Sequence, residues 1–168
     1  IAFCGSSPLP LELYRRFEEA VNAEKGSTDV KLSICEGYGL TEATCLVSIN
    51  PPDGEKRVGS IGIPFPYTNV RIVNVATQID CGSDEVGEIC VASPGVYDGK
   101  TYTETAKNAD LFYPGENSPL GKSVQYLRTG DLGRIDAEGY LWIMGRAKDL
   151  IIRGGHNIDP AEIEEALA

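Results

Sequence analysis

Positive charge is what this sequence has least of. Its 168 residues carry 15 Lys and Arg against 25 Asp and Glu, a formal net charge of -10. No basic cluster interrupts that balance, which argues against nucleic acid or an anionic membrane surface as partner. Cysteine pairing is also missing. Cys4, Cys35, Cys45, Cys81 and Cys90 are odd in number and contain no C-x-x-C spacing. With no signal peptide, transmembrane-length apolar span or N-x-[ST] site, a reducing, cytoplasmic setting fits best. His156 is the single histidine; no Ser or Cys nucleophile arrangement points to it, so it reads as a turn residue. Neither a G-x-x-x-x-G-K-[ST] phosphate loop nor a G-x-S-x-G nucleophile elbow occurs. A dinucleotide fingerprint fails because Glu42 stands where its third glycine belongs. The chain has no starting Met and opens inside an apolar run, so we expect a piece of something longer.

What is present reads as one globular domain with a proper core, given a 42% apolar share. Ile1 to Cys4 looks like the end of a buried strand running into Gly5-Ser6-Ser7-Pro8. Pro10 suits the first turn of a helix. Leu13, Phe17, Ala20 and Val21 then recur at helical spacing, with Glu12, Arg15, Arg16, Glu18 and Glu19 mostly opposite. The helix should end near Lys25-Gly26. A strand over Lys31 to Cys35 follows from the alternation of Val30, Leu32 and Ile34 with polar neighbours. Strand–helix–strand is an α/β unit whose loops fall at strand ends, where such folds bind ligands.

Cys45 to Ile49 is a further candidate strand, closed by Pro51-Pro52. From Val58 to Gly145 the texture becomes short strands and frequent turns, the pattern of a small barrel or sandwich. Val70 to Val75, Val86 to Ala92, Leu132 to Asp136 and Tyr140 to Met144 are the clearest strands, with a hairpin at Ala137-Glu138-Gly139. Lys107 to Gln125, which contains Pro114-Gly115 and Ser118-Pro119, reads as a long surface loop. Asp159 and Glu162 have capping-box spacing around Pro160, which predicts a capped helix after a short strand and a Gly-Gly turn.

The chemistry concentrates in Glu36-Gly37-Tyr38-Gly39-Leu40-Thr41-Glu42. Two glycines flank an aromatic ring, and a hydroxyl and a carboxylate follow at once. A planar base, a phosphate and Mg²⁺ could use Tyr38, Thr41 and Glu42 in that order. An ordinary strand-to-loop turn with Tyr38 packed on the core suits the same residues, and the stretch alone does not choose. It resembles the Y-G-x-T-E core of the adenylate-forming superfamily, most closely its acyl-CoA synthetase branch. The resemblance continues through Gly59-Ser60-Ile61-Gly62-Ile63-Pro64, Gly87-Glu88-Ile89-Cys90-Val91, Arg128-Thr129-Gly130-Asp131-Leu132 and the stretch Gly145 to Glu164. It thus spans the whole chain in five motifs, of which those around Tyr38 and from Arg128 to Glu162 are the specific ones.

That resemblance implies the following expectations. The fold is α/β plus β-barrel: the back half of a large AMP-binding domain over 1–147, with an α/β unit at 1–57 and a β-rich part at 58–147. Residues 148–168 are the hinge and the first elements of a C-terminal lid. The turn holding Gly5 and Ser6 lies against adenine; Tyr38, between Gly37 and Gly39, stacks on it. Thr41 bonds the α-phosphate and Glu42 helps hold Mg²⁺. Asp131 and Arg146 hold the ribose, Lys148 is the hinge, and the turn at Gly155 faces the pantetheine arm of CoA. Co-substrates are ATP, CoA and a small carboxylic acid; the oligomeric state stays open. The family's β,γ-phosphate loop normally precedes Ile1, and the lysine that contacts the carboxylate and α-phosphate lies beyond Ala168. The isolated chain is therefore expected to be inactive. Two alternatives remain at this point: an adenylation domain that loads a carrier protein, and a non-catalytic nucleotide-binding module.

Overall fold

The computed structural model describes residues 1–5, 9–24, 33–97, 101–117, 123–149, 151–153 and 156–158. The α/β unit forms as expected. β1 (Ala2–Cys4) lies parallel to β2 (Ile34–Tyr38), with Ala2 opposite Ile34 and Cys4 opposite Glu36, and α1 (Leu11–Glu24) crosses between them. β3 (Ser48–Ile49) and β4 (Ile63–Pro64) extend this sheet antiparallel. The strand expected over Lys31 to Cys35 instead runs through Gly37 and Tyr38, because β3 continues its hydrogen bonding beyond β1. Residues 31 and 32 lie outside the described set.

Two local expectations change for geometric reasons. The strand expected from Cys45 shrinks to β3, since Thr44 and Cys45 turn the chain at φ 56° and 83°, where L-residues are rare. On α1 the buried residue among those described is Tyr14, whose hydroxyl donates to Glu18 at 2.9 Å. Leu13 and Phe17 stay 52% and 40% exposed, so the face marked by apolar spacing is not the one the described residues cover.

The second sheet contains β5 (Asn69–Val73), β6 (Gly87–Ala92), β7 (Phe112–Asn117), β8 (Ser123–Ile135) and β9 (Leu141–Arg146). The order is β5-β6-β8-β7, with β9 also paired to β8, and every pairing is antiparallel. Among the described residues these strands form open sheets and close no barrel, because β5 and β7 each pair along one side only. Part of the expected surface loop over 107–125 is strand: Phe112 pairs with Leu127 and Tyr113 with Tyr126, while 118–122 lie outside the described residues. The register shifts between Pro114 and Asn117. β5 stops at Val73 because the Asn74 carboxamide accepts the N–H groups of Ala76 and Thr77, each at 3.0 Å, and makes a turn.

β6 shows the period-2 rule in full. Ile89 and Val91 join one core with Tyr38, Ala43, Val47, Ile72, Leu127 and Leu141. Cys90 faces the other way, against Val73 and Tyr113. Each such fully buried aliphatic side chain stabilises the fold by about 1.5–3 kcal/mol over exposure. The first cluster contains residues of both sheets, so one core ties the α/β unit to the β-rich part. A bridge between Gly62 and Leu141 adds a main-chain tie. Gly62 sits at φ +78°, and a Cβ there would lie 1.9–2.1 Å from the Ile49–Asn50 backbone. A second tie is polar: Asp136 accepts from Arg57 Nη1 at 2.8 Å, Trp142 Nε1 at 3.0 Å and Tyr140 N–H at 2.8 Å. β10 (Ile151–Arg153) and β11 (His156–Ile158) form a separate antiparallel hairpin. The helix expected after Asp159 lies outside the described residues.

Candidate nucleotide site

β2 delivers Tyr38 to the junction of the two sheets, and β8 and β9 deliver Asp131 and Arg146 as a register pair. The Tyr38 hydroxyl donates to Asp131 Oδ2 at 2.5 Å, and Arg146 Nε donates to Asp131 Oδ1 at 2.8 Å. Tyr38 is 8% exposed; burial first, then the Asp131 charge and its hydrogen bond, push the phenol well above its ordinary pKa. The hydrogen bond from Arg146 to Asp131 raises the guanidinium in turn. The phenol therefore stays neutral and the guanidinium charged.

The turn after Tyr38 is tightly determined. Leu40 carbonyl accepts Cys45 N–H at 3.0 Å, and Tyr38 carbonyl accepts Val47 N–H at 2.9 Å. The returning chain passes so close that a Cβ on Gly39 would sit 1.3 Å from the Cys45 carbonyl oxygen. Gly39 is therefore required by the protein's own backbone. Strained left-handed residues beside such a motif persist only where the surroundings over-determine them, and Thr44 is further held by its hydroxyl on the Gly95 carbonyl.

Two open clefts flank the Leu40–Arg146 wall. One, about 440 Å³, is lined by Glu36, Gly37, Tyr38, Gly39, Asp131 and Arg146 among others. The other, about 500 Å³, is lined by Glu42, Glu88, Tyr102, Lys107, Arg128 and Arg146 among others. Gly37, Tyr38, Gly39, Asp131 and Arg146 are thus brought to one cleft and Glu42 to the adjoining one. Gly5 reaches Gly37, whose carbonyl oxygen lies 3.1 Å from where a Gly5 Cβ would be. Thr41 and Lys148 are exposed and border neither cleft. Ser6 and Gly155 lie outside the described residues.

Some residues of the site had no role in the sequence reading. Glu88 is 3% exposed and accepts from Arg128 Nη2 at 3.0 Å and Gly130 N–H at 3.1 Å, so it holds the R-T-G-D segment in shape. A carboxylate at the start of an apolar strand was the available signal. Thr129 Oγ1 donates to the Ile89 carbonyl at 2.8 Å and accepts Asp131 N–H at 3.1 Å. Glu36 is buried in the first cleft; burial raises its pKa, opposed by the Gly59 N–H it accepts at 2.9 Å. Tyr102 donates to Glu42 Oε1, and that bond raises the Tyr102 phenol. No pattern around Tyr102 could have flagged it.

No group of three or more His, Cys, Asp or Glu side chains suited to a metal occurs among the described residues. Glu42 alone is a poor cage but a suitable ligand for Mg²⁺, which is commonly held by one or two carboxylates plus substrate phosphates and water. The donor set fits a metal that arrives with a nucleotide. No helix among the described residues is long and apolar enough to cross a membrane.

An α/β unit packed on an antiparallel sheet, with the Y-G-x-T-E and R-T-G-D-L motifs meeting at one wall, defines the adenylate-forming class of enzymes. A sequence profile of the family described as AMP-binding enzyme matches residues 1–99, and the chain belongs to that family. It is 42% identical over 169 residues to the marinolic acid–CoA ligase of a Pseudoalteromonas species, covering 98% of this chain and 23% of that protein. It is 36% identical to a long-chain-fatty-acid–CoA ligase of Bacillus subtilis, covering 97% of this chain and 26% of that protein. ATP-bound MatB from Rhodopseudomonas palustris superposes with a TM-score of 0.76 at 31% identity, covering 97% of this chain and 28% of that one. The o-succinylbenzoate CoA synthetase of Bacillus subtilis, in complex with ATP and magnesium ion, gives 0.72 at 32% identity, covering 98% and 30%. The chain therefore spans about a quarter of the length of these relatives.

Proposed function

We propose that the protein carrying this chain is an AMP-forming acyl-CoA synthetase. A carboxylate attacks the α-phosphate of ATP and releases pyrophosphate; the CoA thiol then attacks the acyl carbon and releases AMP. The observation that carries the reading is the Asp131 cluster. A carboxylate offers about four lone-pair sites, and Tyr38 and Arg146 occupy one on each oxygen. One site per oxygen remains, which suits the two hydroxyls of a ribose, and charge-assisted bonds of this kind are short and strong. The CoA ligase names of the relatives favour CoA over a carrier protein as acceptor.

In this reading the first cleft takes the adenosine, with Tyr38 beside the base and the Gly5–Ser6 turn against it. Thr41 lines neither cleft, but it is exposed on the turn beside Glu42 and bonds the α-phosphate from there. Glu42 in the second cleft is the metal ligand. Mg²⁺, when bound, would neutralise charge developing on the phosphates, so the protein's own contribution is mostly placement. Lys148 lies just past β9, where the sheet ends, and is the pivot for residues 148–168, whose Gly155 turn faces the pantetheine arm.

The test is acid-dependent ATP–pyrophosphate exchange by a full-length protein carrying this sequence, followed by thioester formation with CoA or a carrier protein offered as acceptor. Exchange with CoA thioester formation is expected. Exchange that delivers the acyl group only to a carrier protein, or no exchange with any of a broad panel of acids, overturns the proposal.

A further inference from the structure

Beside the motif residues stands a tyrosine that no motif explains. Tyr102 belongs to the segment after β6, and this segment is fastened to the turn at 41–44 from two sides. Tyr97 N–H donates to the Glu42 carbonyl at 3.2 Å, and Thr44 Oγ1 donates to the Gly95 carbonyl. Further on, the Asn108 side chain grips Tyr102 by its own main chain. Asn108 Oδ1 accepts Tyr102 N–H at 2.9 Å, and Asn108 Nδ2 donates to the Tyr102 carbonyl at 2.7 Å. Asn108 ends a short 3₁₀ turn over Thr105–Asn108. The tyrosine is thus clamped at its backbone while its hydroxyl donates to Glu42 Oε1. Both side chains line the second cleft, and Lys107, Arg128 and Arg146 bring positive charge to the same walls.

We propose that Tyr102 is a positioning residue that presents Glu42 to a divalent cation through one oxygen only. This rests on the reading of Glu42 as the metal ligand. Three consequences follow from the geometry. A glutamate has several rotatable bonds, and a partner held from its own backbone removes much of that freedom before the metal arrives. With Oε1 accepting the phenol, Oε2 keeps both its lone-pair sites and Oε1 only one, which favours ligation through Oε2 over a two-oxygen bite. One-oxygen ligation suits the small, strictly octahedral Mg²⁺, whereas Ca²⁺ readily takes a carboxylate through both oxygens. Tyr102 should therefore contribute to affinity and to discrimination between the two ions.

Partners that orient a ligand typically cost about 10–100-fold in metal affinity when removed. Tyr102 is 37% exposed, which places it at the low end, about tenfold. The probe is Mn²⁺, titrated into a full-length protein carrying this chain with a non-hydrolysable ATP analogue bound, with free Mn²⁺ read by electron paramagnetic resonance. Mg²⁺ and Ca²⁺ then compete it off. Tyr102→Phe should weaken Mn²⁺ and Mg²⁺ binding about tenfold, shrink the Mg²⁺-over-Ca²⁺ preference, and leave metal-free nucleotide binding unchanged. A merely structural tyrosine would weaken both ions alike and leave the preference intact, and that result overturns the proposal. Glu42→Gln separates the two readings. Unaltered Mn²⁺ binding in Glu42→Gln removes Glu42 as ligand and the inference with it. Loss in Glu42→Gln alongside wild-type behaviour in Tyr102→Phe removes the role of Tyr102 alone. If Tyr102→Phe unfolds, Asn108→Ala keeps the phenol but frees its backbone; a smaller loss with the same change in ion preference is expected, and no change overturns the proposal.

Discussion

Replacing Asp131 by alanine separates what this carboxylate does for the fold from what it does for a ligand. In the folded chain it accepts the Tyr38 hydroxyl at 2.5 Å and Arg146 Nε at 2.8 Å. Its loss leaves a phenol that is 8% exposed without an acceptor, at a cost of about 1–3 kcal/mol. Arg146 is 54% exposed, so the ion pair itself adds about 1 kcal/mol at most. Removing Tyr38's hydroxyl as well, in Asp131→Ala with Tyr38→Phe, takes away the orphan and should recover much of that loss. Ligand binding follows a different rule. Losing a hydrogen bond from a neutral hydroxyl to a carboxylate costs about 1.5–3 kcal/mol, a loss of roughly tenfold to a hundredfold in ATP affinity that the second mutation cannot restore. Calorimetry with ATP and with analogues lacking a ribose hydroxyl, on a full-length protein carrying this sequence, provides the check. The penalty for the missing hydroxyl should be large in wild type and small in Asp131→Ala. An unchanged analogue penalty would show that Asp131 does not hold the ribose. Stability losses that simply add in the double mutant would refute the orphaned-phenol argument.

Other outcomes follow from particular residues. Burial alone would raise the Asp136 carboxyl, but hydrogen bonds from Trp142 Nε1 and Tyr140 N–H, with Arg57 beside it, bring it down from 3.8 to about 2. Its folded pKa is depressed, so the stability it contributes is present above about pH 4 and is lost as pH falls through about 2. Urea midpoints between pH 5 and 2 should fall more steeply in wild type than in Asp136→Asn, and parallel curves would remove Asp136 as the cause. Gly62→Ala should destabilise by about 3 kcal/mol or more, because strain at positive φ adds to a clash with backbone that cannot give way; a thermal midpoint within a degree of wild type would contradict it. Lys148→Pro should keep pyrophosphate exchange while CoA-dependent turnover falls by orders of magnitude, since proline fixes φ at the proposed pivot. An equal fall in both half-reactions would indicate misfolding, and no fall in either would place the pivot elsewhere.

Much of the local structure could be read from residue order alone. Apolar spacing located α1, the texture of short strands between frequent turns located β6 and β9, and Gly139 marked the hairpin between β8 and β9. These are short-range consequences of backbone geometry, which periodicity reports directly. The motif residues were legible for a different reason: Glu36 to Glu42 and Arg128 to Leu132 resemble family motifs in kind and order, whereas each stretch alone also suits an ordinary turn.

Pairing was decided only in three dimensions. Tyr38 and Asp131 stand 93 residues apart, Glu88 and Gly130 42 apart, and Glu42 and Tyr102 60 apart. Nothing in either segment of such a pair specifies the other, because which strands become neighbours depends on the combined burial of both sheets. The same holds for Phe112–Asn117, whose Pro and Gly read as loop until β8 supplied a partner to pair with. It holds for α1, where spacing identified an apolar face but packing chose the side carrying Tyr14. Local sequence determined which residues could form strands, turns and ligands; the shared core of Tyr38, Val47, Ile89, Leu127 and Leu141 determined which of them meet.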